Sequence, residues 1–200
     1  MSDKDQQLVY LIDDDEAVRD AMCMLLESSN IPYRSFGSAN DFLHSYNNEL
    51  RGCLMLDIRM PGMTGLELQS ILNSKNSALP IIFITGHGDV PMAVTAMRLG
   101  ALDFMRKPVN ETNLLDRIDQ ALSHEIDIRK EAVDIQQSKL KLSLLTQREQ
   151  QIFDRVAEGQ ANKAIALDLD ISERTVEVHR AQVMKKLDVA TLAQLVRIKI

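Results

Sequence analysis

Five short apolar runs, each followed by a segment of helical periodicity, constrain this chain more than any other feature. Leu8 to Ile12, Tyr33 to Phe36, Cys53 to Leu56, Ile81 to Ile84 and Leu102 to Met105 read as strands. Val18, Ala21, Met22, Leu25 and Leu26 mark the first helix; others run from about Ala39 to Tyr46, Thr64 to Leu72, Val90 to Leu99 and Glu111 to His124. Short connections and right-handed crossovers then predict an α/β fold, a doubly wound parallel five-stranded sheet with helices on both faces. In such a sheet all the C-terminal strand ends open on one edge, where ligands bind. That edge receives Asp13, Asp14, Asp57, Thr85 and Lys107.

Asp57 comes where the apolar run Cys53 to Leu56 stops, and Pro61, Gly62 and Gly65 force a loop before the next helix. A lone Asp there would simply cap a turn. Three carboxylates gathered at one edge would repel one another, because like charges a few ångströms apart cost several kcal/mol at intermediate dielectric. A hard divalent cation such as Mg²⁺ resolves the conflict, taking carboxylate oxygens and favouring phosphate as a further ligand. The Thr85 hydroxyl and the Lys107 ammonium complete a pocket for a phosphoryl group, with Asp57 as its nucleophilic acceptor.

The motifs IDDDEAVR, LMLDIRMPGMTG, ITGHGD and FMRKP resemble the receiver domain of bacterial two-component response regulators. That resemblance implies a flavodoxin-like sheet of order 2-1-3-4-5 and phosphoryl transfer to Asp57 from the phosphohistidine of a sensor histidine kinase. It further implies Mg²⁺ held by Asp13, Asp14, Asp57 and the backbone carbonyl of Arg59, and a cis peptide at Lys107-Pro108. Phe104 falls at the family's aromatic switch position, where Tyr is commoner; plain core packing is the alternative. By the same resemblance Arg59 and His87 fall at positions that flank the path of the attacking water, and both are expected to tune hydrolysis. Haloacid-dehalogenase-type phosphatases also use an Asp nucleophile with Mg²⁺, but need a second acid two residues on, where this chain has Arg59. With no Walker A lysine loop and no dinucleotide fingerprint either, a turnover enzyme is not expected.

Charge divides the chain. Residues 1–123 carry 10 Lys and Arg against 17 Asp and Glu, whereas residues 146–200 carry 9 against 8. An acidic first half beside a mildly basic second half suggests two domains with different partners. No 18-residue apolar run exists and the opening residues are polar, so a soluble, cytoplasmic protein is expected, without a membrane partner. Cys23 and Cys53 lie in apolar segments and read as free thiols. The expected division is a receiver over residues 1–124, a linker over 125–141 and a second domain over 142–200.

The linker contains no Gly or Pro and four charges of each sign. Ile126, Val133 and Leu140 recur every seven residues, which reads either as a short heptad seam extending the preceding helix or as a solvated linker helix.

Beyond it, Thr146 and Glu149 form a capping box for a helix whose apolar stripe is Ile152, Phe153 and Val156; Gly159 stops it. Short helices follow from Asn162 to Leu169, after Ser172, and from Leu192 to Ile198, a pattern that suits a helix-turn-helix domain. The helix after Ser172 turns Val176, Val183 and Leu187 inward. It also carries Arg174, Thr175, Glu177, Val178, His179, Arg180, Ala181, Lys185 and Lys186. Outward basic residues can neutralise DNA phosphates, Glu177 can accept from a cytosine amino group, and Val178 and Ala181 can meet thymine methyls.

LTQREQQIFDRVAEG and NKAIALDLDISERTVEVHRAQVMKKL are similar to the LuxR/NarL/FixJ-type C-terminal domain. The similarity implies that the third helix of this domain enters the major groove while Asn162, Lys163, His179 and Arg180 hold the backbone. Glu177 stands where some relatives carry Lys, so their base preference does not transfer. Over both domains the chain looks like FixJ-like regulators; tetrathionate-respiration regulators share the architecture. The expected activity is phosphorylation-dependent binding of promoter DNA as a homodimer, with RNA polymerase as a further partner. The alternative is an output domain that binds another protein or RNA.

Overall fold

The computed structural model describes residues 7–86 and 90–198, without the side chain of residue 197. It divides into two compact units, Met1–Arg129 and Lys130–Ile200.

The first unit is the parallel sheet. Strands β1 (Leu8–Ile12), β2 (Tyr33–Phe36), β3 (Gly52–Leu56), β4 (Ile81–Thr85) and β5 (Asp103–Arg106) lie in the order β2-β1-β3-β4-β5. All neighbours pair in parallel, so the five C-terminal ends share one edge. The connecting helices are α1 (Glu16–Ser28), α2 (Ala39–Ser45), α3 (Gly65–Ser74), α4 (Val90–Arg98) and α5 (Glu111–Ser143).

Period-two alternation in the central strands feeds two separate cores. Tyr10, Ile12, Leu54, Leu56, Ile81 and Phe83 face Phe42 of α2, Leu68 and Leu72 of α3 and Ala96 of α4. Val9, Leu11, Cys53, Met55, Ile82 and Ile84 face Leu26 of α1 and Leu114, Ile118 and Ala121 of α5. Burial on both faces is why β3 and β4 read as unbroken apolar runs. Each fully buried Leu, Ile or Phe contributes about 1.5–3 kcal/mol, and truncating Leu54 to Ala would cost about 2–5 kcal/mol.

Helix α5 continues without a break through the expected linker. Ile126, Val133 and Leu140 are exposed along it at 48%, 50% and 61%, so the seven-residue repeat lies on an open face. Glu125 breaks with the linker's solvated reading. It is fully buried, and Arg51, Arg129 and Gln7 surround it. No local pattern announces this, because two of those partners are far away in sequence.

The second unit packs α6 (Gln147–Ala157), α7 (Asn162–Leu169), α8 (Glu173–Leu187) and α9 (Leu192–Ile198) around Ile152, Phe153, Ile165, Val176, Val183, Leu187 and Leu195. The Thr146 hydroxyl accepts the Glu149 N–H, and Glu149 accepts the Thr146 N–H in return, completing the capping box. Ser172 caps α8 by accepting the Thr175 N–H. Asp170 and Asp188 end α7 and α8 in the left-handed region, at φ of 52° and 55°.

Candidate functional site

The charged edge of the sheet is assembled by strand ends and by the caps of the helices that follow. Asp13 and Asp57 stand just past β1 and β3, and the Asp57 N–H donates to the Ile12 carbonyl at 2.9 Å, fixing the two strand ends side by side. Asp15 accepts the N–H groups of Ala17 and Val18, which turns the chain into α1 and leaves Asp13 and Asp14 at the edge. Gly65 opens α3 with its N–H on the Ile58 carbonyl; a Cβ there would stand 2.3 Å from the Asp57 carbonyl oxygen, so only glycine permits this approach.

Carboxylate oxygens of Asp13, Asp14 and Asp57 all lie within 4.8 Å of one another. Asp13 and Asp57 are buried and Asp14 is exposed. The Lys107 ammonium donates to Asp13 Oδ2 at 2.5 Å and lies 3.9 Å from Asp57 Oδ2. The other Asp57 oxygen accepts the Ile58 N–H at 2.9 Å. Burial pushes the Asp13 carboxyl above the usual carboxylate range, and the hydrogen bond and charge of Lys107 oppose that rise. Three hard oxygen donors at this spacing suit a small divalent cation that keeps some of its waters. Thr85 is buried at the end of β4, and its carbonyl accepts the Lys107 N–H at 2.9 Å. The Lys107-Pro108 peptide is cis.

Phe104 is half-buried on β5 and packs against the core that includes Phe83 and Ala96. Arg59 is exposed, its guanidinium 3.9 Å from Met92 Sδ. His87 lies outside the described residues. Sequence reading missed Arg19, which donates to the Asp13 carbonyl at 2.7 Å, although its place one turn into α1 was a usable signal.

In the second unit, Arg174, Glu177, Val178, Ala181 and Lys185 are exposed along α8. Their spacing of three, four, seven and eleven residues puts them on one face, opposite Val176, Val183 and Leu187. Thr175, His179 and Arg180 are half-buried, and Lys163 is exposed. Arg180 donates to Asn162 at 2.7 Å and so ties α8 to the start of α7. Lys186 is exposed and paired. It is drawn away from the outward cations by Glu149, 2.6 Å from its ammonium, and by the Leu144 carbonyl.

The comparisons with known proteins agree over nearly the whole chain. Residues 9–119 match the response regulator receiver domain, and residues 143–199 match the bacterial regulatory proteins of the luxR family. The chain is a two-component response regulator with a LuxR-type output domain. This regulator is 44% identical over 198 residues to the response regulator protein TodT of Pseudomonas putida, covering 99% of this chain and 87% of that one. It is 42% identical to the transcriptional regulatory protein FixJ of Rhizobium meliloti over 189 residues, 94% of this chain and 93% of the relative. Among solved structures it is similar to the response regulator StyR, with a TM-score of 0.78 at 43% identity, covering 97% and 98% of the two chains. Its two domains make it a phosphorylation-dependent transcription factor, and an output through protein or RNA is not favoured. Membership implies a histidine kinase as partner and DNA as target. Among the described residues no helix is long and apolar enough to cross a membrane.

Proposed function

We propose that Asp57 is the phosphoacceptor of this regulator. The observation that carries the reading is the convergence of Asp13, Asp14 and Asp57 within 4.8 Å, with Lys107 beside two of them. Asp13, Asp14, Asp57 and the Arg59 carbonyl would hold Mg²⁺, which when bound neutralises phosphoryl oxygens. An Asp57 oxygen forms the new O–P bond as the P–N bond of the kinase phosphohistidine breaks; the imidazole keeps the bonding electrons and takes up a proton. The Lys107 ammonium shifts from Asp13 toward the transferred oxygens, and the Thr85 hydroxyl donates to one of them. Phe104 follows Thr85 inward, altering the face made by α4, β5 and α5. Arg59 and His87 tune hydrolysis of the acyl phosphate, which releases inorganic phosphate. Hydrolysis restores the Asp57 carboxylate, so phosphorylation is a reversible switch on the protein itself, and the chain is read as a phosphate receiver, not as a turnover enzyme.

The output reading assigns base contacts to Glu177, Val178 and Ala181 on α8. Lys163, Arg174, Thr175, His179, Arg180, Lys185 and Asn162 hold the phosphate backbone. Phosphorylation produces a homodimer that places two such helices in half-sites about one helical turn apart, from which the regulator meets RNA polymerase in the cytoplasm. Residues 1–124, 125–141 and 142–200 are receiver, linker and DNA-binding domain in this scheme.

The test is mass spectrometry after incubation with Mg²⁺ and acetyl phosphate. One added phosphate is expected on the wild type and none on Asp57→Asn, which keeps the volume but loses the anionic nucleophile. A phosphate retained by the variant overturns the assignment.

A further inference from the structure

At the opposite edge of the sheet from Asp57 lies a polar cluster that phosphoryl chemistry does not use. Glu125 has no exposed surface, and its carboxylate accepts from Gln7 Nε2 at 2.8 Å, from Arg51 at 3.3 and 3.4 Å and from Arg129. The Gln7 amide also donates to the Leu122 carbonyl at 2.7 Å. The Arg129 guanidinium reaches the Leu50 carbonyl at 2.5 Å and the Asn48 carbonyl at 3.5 Å. One buried carboxylate thus joins the residue before β1, the loop before β3 and two successive turns of α5.

Such a cluster is a poor source of stability alone, because desolvation of the charges offsets much of their attraction. Its geometry serves orientation. The apolar residues of α5 that pack on the core beneath it end at Leu122, three residues before Glu125. A helix held only up to that point would be free to swing, since apolar packing is not directional. Beyond it, the two guanidiniums fix the axis by directed, charge-assisted bonds to Glu125 and to backbone carbonyls. Burial raises the Glu125 pKa, yet the hydrogen bonds from Arg51, Arg129 and Gln7 outweigh it and leave the group below its ordinary value, hence ionised at neutral pH. Helix α5 then runs on to Ser143, with Lys130 the first residue of the second unit.

We propose that Glu125, clamped by Gln7, Arg51 and Arg129, is a positioning residue that fixes the direction in which α5 leaves the receiver and so couples phosphorylation to DNA binding. The clamp lies away from the acidic edge, so its removal spares phosphoryl transfer. What it removes is the fixed path by which a rearranged receiver moves α5.

The experiment compares wild type with Glu125→Gln, Arg129→Gln and the milder Arg51→Lys, all as full chains. Three quantities are read: the phosphorylation rate with acetyl phosphate, amide exchange over residues 122–143, and affinity for a duplex selected by phosphorylated wild type from random-sequence DNA. Expected are phosphorylation rates within twofold of wild type, at least tenfold faster exchange in that segment, and at least a fivefold smaller gain in DNA affinity on phosphorylation. Arg51→Lys retains a cation and should fall between. Faster exchange with an undiminished gain would make the cluster merely structural and overturn the proposal, as would unchanged exchange. A loss of phosphorylation equal to the loss of coupling would overturn it too. A wild type whose DNA affinity ignores phosphorylation would overturn the regulatory reading itself, and the clamp with it.

Discussion

The Lys107 ammonium stands closer to Asp13 than to Asp57, at 2.5 Å against 3.9 Å. The cation is parked on the carboxylate that does not react. Incoming phosphoryl oxygens, or a metal that takes over Asp13, would release it toward Asp57. Lys107→Met is expected to slow phosphorylation by acetyl phosphate by about 10²-fold, the scale of losing one charge-stabilising donor. Asp13→Asn should weaken Mg²⁺ binding, because one carboxylate ligand goes. Quenched-flow phosphorylation across a Mg²⁺ titration separates a lowered maximum rate from a raised half-saturation.

Substituting Gly65 probes the approach of α3 to the acceptor. An added Cβ meets the Asp57 carbonyl oxygen at 2.3 Å. Gly65→Ala should cost about 1–3 kcal/mol of receiver stability, as overpacking does. Urea unfolding measures that loss, and phosphorylation should slow in the same variant because the β3–α3 loop carries Asp57's neighbours.

Arg59 is exposed two residues after Asp57, and among the described residues its guanidinium lies 3.9 Å from Met92 Sδ. Arg59→Ala should therefore leave stability unchanged while altering the lifetime of the acyl phosphate severalfold. Decay of radiolabelled phosphoprotein gives the answer; equal lifetimes would remove Arg59 from the hydrolysis path.

Glu149 is expected to contribute to the acid stability of the output domain. The Lys186 ammonium first, then the Thr146 N–H, lower its carboxyl from 4.5 to about 2. Because the folded value lies below the unfolded one, the stabilisation is complete above about 4.5 and fades as pH falls toward about 2. At pH 7 Glu149→Gln should melt several degrees below wild type, and the gap should close through that window. A gap independent of pH would exclude the ion pair as its cause.

On α8, phosphate and base contacts differ in their salt signature. Lys185→Ala and Lys163→Ala should each reduce the slope of log affinity against log salt by about 1 and weaken all sequences alike. Glu177→Ala should leave the slope unchanged and relax the preference at one base pair by about 1–3 kcal/mol. Fluorescence anisotropy on matched and mismatched duplexes distinguishes the two.

Most of the receiver was legible because its signals are local. Strands β3 and β4 are buried on both faces and so are written as continuous apolar runs. In the output domain, the caps at Thr146 and Ser172 are likewise short polar motifs with fixed offsets. Asp13, Asp14, Asp57, Thr85 and Lys107 could be gathered without coordinates because parallel topology sends every strand end to one edge. The Glu125 cluster was illegible for the opposite reason. Gln7 and Arg51 lie 118 and 74 residues from Glu125, and nothing near any of them demands a partner. The Lys186 pairing was illegible for a like reason: helical spacing shows where it stands on α8, and only the cap of α6 reveals that Glu149 holds it.

Helix α5 spans Glu111–Ser143 with no glycine or proline in its 33 residues. At 1.5 Å and about 100° per residue, such a rod is about 50 Å long and keeps phase along its length. The length of helix beyond Arg129 is then a discrete variable. An insertion of seven residues near Gln136 lengthens the rod but nearly restores its rotational phase, whereas five residues turn everything downstream to the far side. Regulators whose linkers differ by seven residues should exchange domains freely, and those differing by five should not.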